Sequence, residues 1–246
     1  MSEDGGVART DGRGCGQVRE ISFQTGFQPF PEGSVLVAWG GTRVVCSATF
    51  EDRVPPFLAG KGTGWITAEY DMLPGSGNRR IRRDRISGGI KGRSHEIQRL
   101  IGRSLRQCAD LSLLGERTLV VDCDVLTADG GTRVASISGG AVAARLATRR
   151  LLDRGKLERD PFLRFVAAVS VGLVDGTPMV DLCYDEDSRA SMDMNLVVTE
   201  EGQIVELQTA AEQATAPLET VTAMARMGLA AALEQIVPLQ REVFSS

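Results

Sequence analysis

The sequence predicts an α+β fold, a single domain in which helices are layered on mixed or antiparallel sheets. Three observations predict it. Short β-branched or alternating runs recur along the chain, broken by glycine-containing turns. Other segments carry apolar residues at helical spacing. Their order is strands, helix, strand, helix, four strands, helix, which is not a regular β–α alternation.

Residues 1–13 are rich in glycine and charge and are expected to be flexible. Gly16 to Thr25 has a weak strand pattern. Ser34–Trp39 and Thr42–Phe50 read as a hairpin closed by Gly40-Gly41, because a tight hairpin turn needs a positive φ. A glycine-rich loop, Ala59–Gly64, leads to a short strand, Trp65–Tyr70. Asp71–Gly92 is polar, basic and punctuated by Pro74, Gly75, Gly77, Gly88, Gly89 and Gly92. Structureless loops this long are uncommon in compact domains, so residues 75–92 are expected to form a mobile basic loop with a function.

Ser94 opens a helix with an apolar stripe of Ile97, Leu100, Ile101, Leu105 and Cys108, and a second stripe of Arg99, Arg103 and Arg106. Gly115 closes this unit. Thr118–Leu126 is a strand with Asp122 and Asp124 on one face. A tight loop, Thr127–Gly131, enters a helix over Thr132–Asp153. Its early small residues, Ala135, Ser136, Ser138, Gly139 and Gly140, predict a close packing partner. After a short connection, Lys156–Pro161, two hairpins follow. Phe165–Val174 and Thr177–Tyr184 join across Asp175-Gly176, and Met192–Thr199 and Gln203–Gln208 join across Glu200-Glu201-Gly202. Pro217 suits the first position of a last helix, Leu218–Ile236. No stretch divides the chain, so residues 1–246 are expected to form one domain.

Composition narrows the function. The 246 residues are 42% apolar and 24% charged, a globular balance that excludes general disorder. No apolar run approaches the roughly 20 residues that span a bilayer, and the N-terminus lacks the apolar stretch of a secretory signal. Five scattered cysteines without a CxxC pair point to reduced thiols and a cytoplasmic protein, with no membrane partner. His95 is the single histidine, so a multi-histidine metal site is excluded. The net charge is −4, yet residues 78–107 hold ten arginines and lysines against Asp84 and Glu96. That window carries +8 and the remainder −12, which predicts an anionic partner at one face.

Four motifs bear on chemistry. Ala128-Asp129-Gly130-Gly131-Thr132-Arg133 lies between a buried strand and a helix. Helix N-termini present free N–H groups and positive potential. With two glycines, a hydroxyl and a guanidinium, this is a candidate phosphate site, and a plain strand–helix turn is the alternative. Gly92-Arg93-Ser94 has neither the spacing nor the lysine of a P-loop, but Arg93 at a helix start opposes the dipole unless an anion binds there. Asp181, Asp185, Glu186 and Asp187, with Asp193 beyond, form an acidic cluster suited to Mg²⁺ or to an ordinary solvated turn. Arg79, Arg80, Arg82, Arg83 and Arg85 suit phosphodiester contacts, or a solvated loop or subunit contact. No aromatics there offer base stacking.

Four strings resemble the ribonuclease PH family. They are residues 64–74 (GWITAEYDMLP), residues 96–106 (EIQRLIGRSLR), Asp122-Cys123-Asp124-Val125-Leu126 with 128–133, and Asp181-Leu182 with Glu186-Asp187-Ser188 and Asp193-Met194-Asn195. Order and spacing fit from about Asp11 to Leu239. Lys91 departs from the family's usual glycine, and Thr209-Ala210-Ala211-Glu212-Gln213 replaces a string richer in glycine.

The resemblance implies a phosphorolytic 3′→5′ exoribonuclease, a tRNA nucleotidyltransferase that trims tRNA precursors with inorganic phosphate as co-substrate and releases nucleoside diphosphates. It implies a homohexamer built as a trimer of dimers. By position it implies phosphate binding by Arg93, Gly131, Thr132 and Arg133, and RNA binding by Arg79, Arg80, Arg82, Arg83, Arg85 and Arg99. Asp181 and Asp187 are implied as the catalytic carboxylates that hold Mg²⁺. A catalytically silent RNA-binding subunit of an exosome-like ring is the rival reading. Such a subunit is expected to lack Arg133 or Asp187, and both are present.

Overall fold

The computed structural model describes residues 9–83, 88–89, 92–213 and 215–245. Among the described residues, nine strands form two sheets. The first sheet takes β1 (Ile21–Thr25), β2 (Gly33–Trp39), β3 (Thr42–Glu51), β4 (Trp65–Met72) and β5 (Thr118–Thr127) in the order β1-β2-β3-β5-β4. It is mixed, because β4 and β5 run parallel and the other pairs antiparallel. The parallel pair is joined by a crossover that contains helix α1 (Gly92–Arg106). The second sheet is antiparallel, β7-β6-β8-β9, built from β6 (Val166–Val174), β7 (Thr177–Val180), β8 (Met192–Thr199) and β9 (Ile204–Ala211).

Helix α2 (Thr132–Asp153) packs against β2 and β3 of one sheet and β6 of the other. Its small residues permit that approach. A Cβ on Gly139 would stand 2.2 Å from Val37 Cγ2, and a Cβ on Gly33 would stand 2.1 Å from the Ala143 carbonyl oxygen. One apolar core therefore runs through both sheets, from Val35, Val37 and Cys46 through Ile137 and Val142 to Val169 and Leu196. α1 covers β4, and α4 (Leu218–Ala231) covers β6, β7 and β8. All five cysteines are unpaired. No helix among the described residues is long and apolar enough to cross a membrane.

The α+β class with mixed and antiparallel sheets is as expected. The two tight turns sit where expected, with Gly40 at φ +54° and Asp175 and Gly176 at +49° and +77°. Several boundaries differ. α1 begins at Gly92, which places Arg93 inside its first turn. β7 ends at Val180, and a one-turn helix α3 (Tyr184–Asp187) that the strand pattern concealed follows it. The last helix does not stop at Ile236. It passes through a π-helical turn, Ala232–Ile236, into α5 (Val237–Glu242), and the wide turn ends two positions before Pro238, whose ring nitrogen has no hydrogen to donate. Pro217 caps α4 from outside instead of opening it.

Two loop expectations change. Residues 1–8 lie outside the described residues, but 9–13 are held in place, since Arg9 is only 6% exposed. Of the basic loop, residues 75–83, 88–89 and 92 are described, and residues 75–83 carry backbone hydrogen bonds to neighbouring segments. They are tied back by the Ile81 N–H donating to the Pro74 carbonyl at 2.8 Å and the Ala128 N–H donating to the Ser76 carbonyl at 2.7 Å. Arg85 and Lys91 lie outside the described residues.

Candidate active site

The two sheets and the helix starts enclose a cleft of about 1190 Å³, lined by Arg93, the 127–133 turn, Asp187, Asp193, the start of the basic loop and the two residues that follow β9, Glu212 and Gln213. Residues from both halves of the chain therefore converge on one space.

The turn before α2 is built for close approach. Gly130 and Gly131 are both left-handed, at φ +71° and +67°. A Cβ on Gly130 would stand 2.3 Å from the Leu182 carbonyl oxygen, so only glycine fits. The Thr42 hydroxyl donates to the Gly130 carbonyl at 2.7 Å and accepts the Asp129 N–H at 2.9 Å, fastening the turn to β3. Gly131 caps α2, a 22-residue helix with no acidic side chain in its first turn, so its N-terminal N–H groups face the cleft without a built-in anion.

Thr132 Oγ1 is 2.8 Å from the Tyr70 hydroxyl, and both residues are buried. Burial raises the Tyr70 phenol above its ordinary value, against the lowering effect of Thr132, Arg93 and Arg133. Arg133 Nη1 lies 3.3 Å from Glu96 Oε1 and 3.4 Å from Gln208 Oε1. Arg93 and Arg133, from the first turns of α1 and α2, line the same cleft and act on the same two groups, Tyr70 and Asp187. Sequence reasoning did not assign Tyr70. Its place two residues before Met72 in the 64–74 string is the only signal that could have found it.

The acidic cluster separates into two roles. Asp187 ends α3 on the cleft wall, where desolvation and the nearby Asp193 charge raise its carboxyl, against Arg93, Arg133 and Arg19. Asp193 reaches the same wall from β8, and its Oδ1 is buried with no hydrogen-bond partner. Asp181, expected to join Asp187 in the cleft, is not brought there. It is fully buried behind the wall with both oxygens held by Arg19, Nη2 to Oδ1 at 2.7 Å and Nε to Oδ2 at 3.0 Å. An open carboxylate at that position is thereby corrected. Glu186 also faces inward, as a bidentate partner of Arg9 at 2.7 and 2.9 Å. Burial alone would raise its carboxyl, but the Arg9 bond and charge leave it below the ordinary value. Neither arginine was singled out from the sequence, because no local pattern links residues 9 and 19 to residues 181–186.

Arg79, Arg80 and Arg82 are exposed along the basic loop, whose residues Gly75 to Asn78 and Ile81 form one rim of the cleft. Arg83 is half-buried and lowers the Asp124 carboxyl, although desolvation, Asp71 and Glu69 leave that group raised overall. Arg99 is exposed on α1. The 209–213 departure has a settled backbone, since β9 runs to Ala211 and the Glu212 and Gln213 N–H groups both donate to the Ser191 carbonyl. Glu212 and Gln213 line the cleft.

Comparison with known proteins gives one consistent answer. Residues 17–149 match domain 1 of the 3′ exoribonuclease family and residues 164–231 match domain 2. Ribonuclease PH of Solibacter usitatus is 51% identical over 238 residues, covering 96% of this chain and 98% of its own. That of Dehalococcoides mccartyi is 50% identical over 237 residues with the same coverage. That of Corynebacterium efficiens is 52% identical over 215 residues, 87% of this chain and 88% of its own. Rice Rrp46 superimposes with a TM-score of 0.78 at 18% identity, covering 96% of this chain and all of its own. The Archaeoglobus fulgidus exosome with RNA bound to the active site gives 0.77 at 21%, covering 96% and 92%.

Proposed function

The chain belongs to the ribonuclease PH family of 3′ exoribonucleases, and from that premise we propose how its own residues divide the work of phosphorolysis. The enzyme is a phosphorolytic 3′ exoribonuclease, a tRNA nucleotidyltransferase acting on tRNA precursors. An oxygen of inorganic phosphate attacks the terminal phosphorus. The bond from that phosphorus to the O3′ of the preceding nucleotide breaks, and a nucleoside 5′-diphosphate leaves.

The obstacle is repulsion between two anions, and the remedy is fixed positive potential. The observation that carries the assignment is the convergence of Arg93, Arg133 and the α2 N-terminus, with its two left-handed glycines, on one open cleft. Arg93 and Arg133 grip the attacking phosphate, the Gly131 and Thr132 N–H groups orient it, and Tyr70 fixes the Thr132 hydroxyl. Arg79, Arg80, Arg82, Arg83, Arg85 and Arg99 hold the RNA backbone without reading sequence.

Mg²⁺ is tested by the donors present. Asp187 and Asp193 crowd one another on the cleft wall, and one Asp193 oxygen has no partner. That pair suits a hard cation that keeps waters and substrate phosphates as its other ligands. Asp181 does not suit it, because its oxygens are already engaged. Bound there, Mg²⁺ supplies charge neutralisation at the scissile phosphate. Asp187 and Asp193 would be the residues that hold it, each from a different element of the cleft wall.

The same reading includes a cytoplasmic homohexamer, a trimer of dimers whose protomers each fold as one unit. The single core through both matched segments supports the unit, the five unpaired cysteines support a reducing compartment, and the exposed Phe30, Leu218 and Ile204 side chains support buried contacts between copies. The decisive experiment incubates the protein with tRNA bearing a 3′ extension, with and without phosphate. Nucleoside diphosphates are expected only with phosphate, and monophosphates released without it would overturn the mechanism.

A further inference from the structure

The buried pair behind the cleft has an arrangement that the phosphate site alone does not require. Asp181 accepts four N–H groups: the Arg19 backbone N–H at 2.7 Å and Nε at 3.0 Å on Oδ2, Arg19 Nη2 at 2.7 Å on Oδ1, and Arg13 Nη1 at 3.3 Å on Oδ2. Three of these bonds crowd Oδ2 and one holds Oδ1, so both oxygens of the carboxylate are engaged. Asp181 also holds a left-handed backbone, φ +55°, which a residue with a side chain seldom adopts unless its surroundings enforce it. That bend turns the chain from β7 toward α3 and Asp187.

The other edge of the Arg19 guanidinium faces the phosphate turn. Nη1 donates to the Asp129 carbonyl, directly before Gly130 and Gly131. A Cβ on Gly131 would stand 3.3 Å from Arg19 Nη2 and 3.8 Å from Asp181 Oδ1, so the guanidinium lies immediately beneath the turn. Gly40 makes room for the arginine stem, since a Cβ there would be 2.3 Å from Arg19 Cδ. Arg19 thus bonds both the turn that carries the α2 N-terminus and the bend that carries α3, beside the direct link in which the Tyr184 N–H at the start of α3 donates to Asp129 Oδ1 at 3.2 Å.

We propose that Arg19 is a positioning residue for phosphorolysis: bonded to Asp181 on one side and to the Asp129 carbonyl on the other, it fixes the distance between the phosphate-binding turn and the Asp187 wall. The inference rests on the phosphate-site reading above. Displacements of about 1 Å in reacting groups cost on the order of 100-fold in rate, so a rigid strut between these walls has a direct catalytic consequence. Lysine cannot replace it, because a single ammonium cannot reach three separated acceptors in one plane. Arg9 provides an internal contrast. It is equally buried and bidentate, but it bonds Glu186 and the carbonyls of Val180 and Asp181, and it does not touch the phosphate turn.

The test compares Arg19→Lys, Asp181→Asn and Arg9→Lys in the full-length enzyme. Inorganic phosphate is the probe, read first as the rise in melting temperature it produces without RNA or metal, and then as KM against kcat. Arg19→Lys and Asp181→Asn are expected to raise the phosphate KM by about tenfold or more and to abolish the thermal response. RNA affinity and the Mg²⁺ midpoint are expected to stay within about twofold of wild type. Arg9→Lys is expected to lower the melting temperature yet keep the phosphate response. The proposal is overturned if Arg19→Lys keeps a wild-type phosphate KM, if Arg9→Lys reproduces its effect, or if Asp181→Asn moves the Mg²⁺ midpoint instead. It is also overturned if Arg19→Lys and Asp181→Asn both fail to fold, since the pair is then a folding element only. A wild-type enzyme without any phosphate response would count against the phosphate site itself, a separate failure.

Discussion

The Tyr70 hydroxyl and Thr132 Oγ1 are 2.8 Å apart, joining the strand β4 to the first residue of helix α2. The contact fixes the threonine rotamer at the mouth of the phosphate turn. Because burial raises the phenol, Tyr70 stays a neutral hydroxyl across the neutral range. Tyr70→Phe removes that constraint without changing the packed ring. The phosphate KM is expected to rise several-fold, corresponding to about 1 kcal/mol for one hydrogen bond, with kcat and RNA affinity little changed. Steady-state kinetics at varied phosphate would show this, and an unaltered KM would remove Tyr70 from the site.

Arg133→Ala should separate binding from chemistry. Its guanidinium lines the cleft and leans on Glu96 and Gln208, so its loss removes a phosphate ligand and leaves Glu96 facing the site unneutralised. Phosphorolysis is expected to fall by roughly 100- to 1000-fold, as for removal of one preorganised charge-stabilising donor. RNA binding, measured by filter retention or anisotropy, should remain within a few-fold. Equal loss of both would assign Arg133 to the RNA and not to phosphate.

The exposed arginines of the basic loop should act through counterion release. Arg79, Arg80 and Arg82 stand on the cleft's rim side without sequence-reading geometry. Replacing all three by Gln is expected to weaken tRNA binding and to flatten the fall of log affinity with log salt. The slope should shrink by about 0.7 to 0.9 for each RNA phosphate that is no longer neutralised. The phosphate KM should hold. A salt slope identical to wild type would move these residues to another surface.

The outer face of the first sheet makes a pH prediction. Asp122 pairs with Glu69 across β4 and lies two residues from Asp124, which pairs with Asp71. Desolvation, then Glu69, Asp124 and Glu51, push the Asp122 carboxyl up to about 6. The folded protein therefore holds this proton more tightly than the unfolded chain. The resulting stability is fully present below the unfolded value near 4 and is lost as pH rises through about 6. Asp122→Asn should raise stability at pH 7.5 by ~1 kcal/mol, discounted for the solvent that still reaches the group, and give no gain at pH 4. Thermal melts at the two pH values decide it; equal gains at both would exclude the carboxylate ladder as the cause.

Local features could be read in advance because their physics is local. The helix Thr132–Asp153 begins and ends where its residues predict, since helical spacing and the glycines at its N-terminus act within a few residues. The Gly40-Gly41 and Asp175-Gly176 turns followed from positive φ alone. Gly131, Thr132 and Arg133 read as a candidate anion site because they flank a helix start, and the family resemblance added Arg93; the fold brings all four to one cleft.

The acidic cluster shows where such reading stops. Asp187 lies six positions after Asp181, and nothing in that spacing tells which carboxylate faces solvent. The answer lies with Arg19, 162 positions away, whose fork fills Asp181, and with Asp193, which joins Asp187 from a neighbouring strand. Likewise the glycine-rich N-terminus reads as loose, yet Arg9 is pinned to Glu186, 177 positions on. Amino-acid order sets backbone preference and periodicity over a few residues. Which charges neutralise one another depends on distances of a few ångströms between distant segments, and those distances exist only once the two sheets have closed around α2.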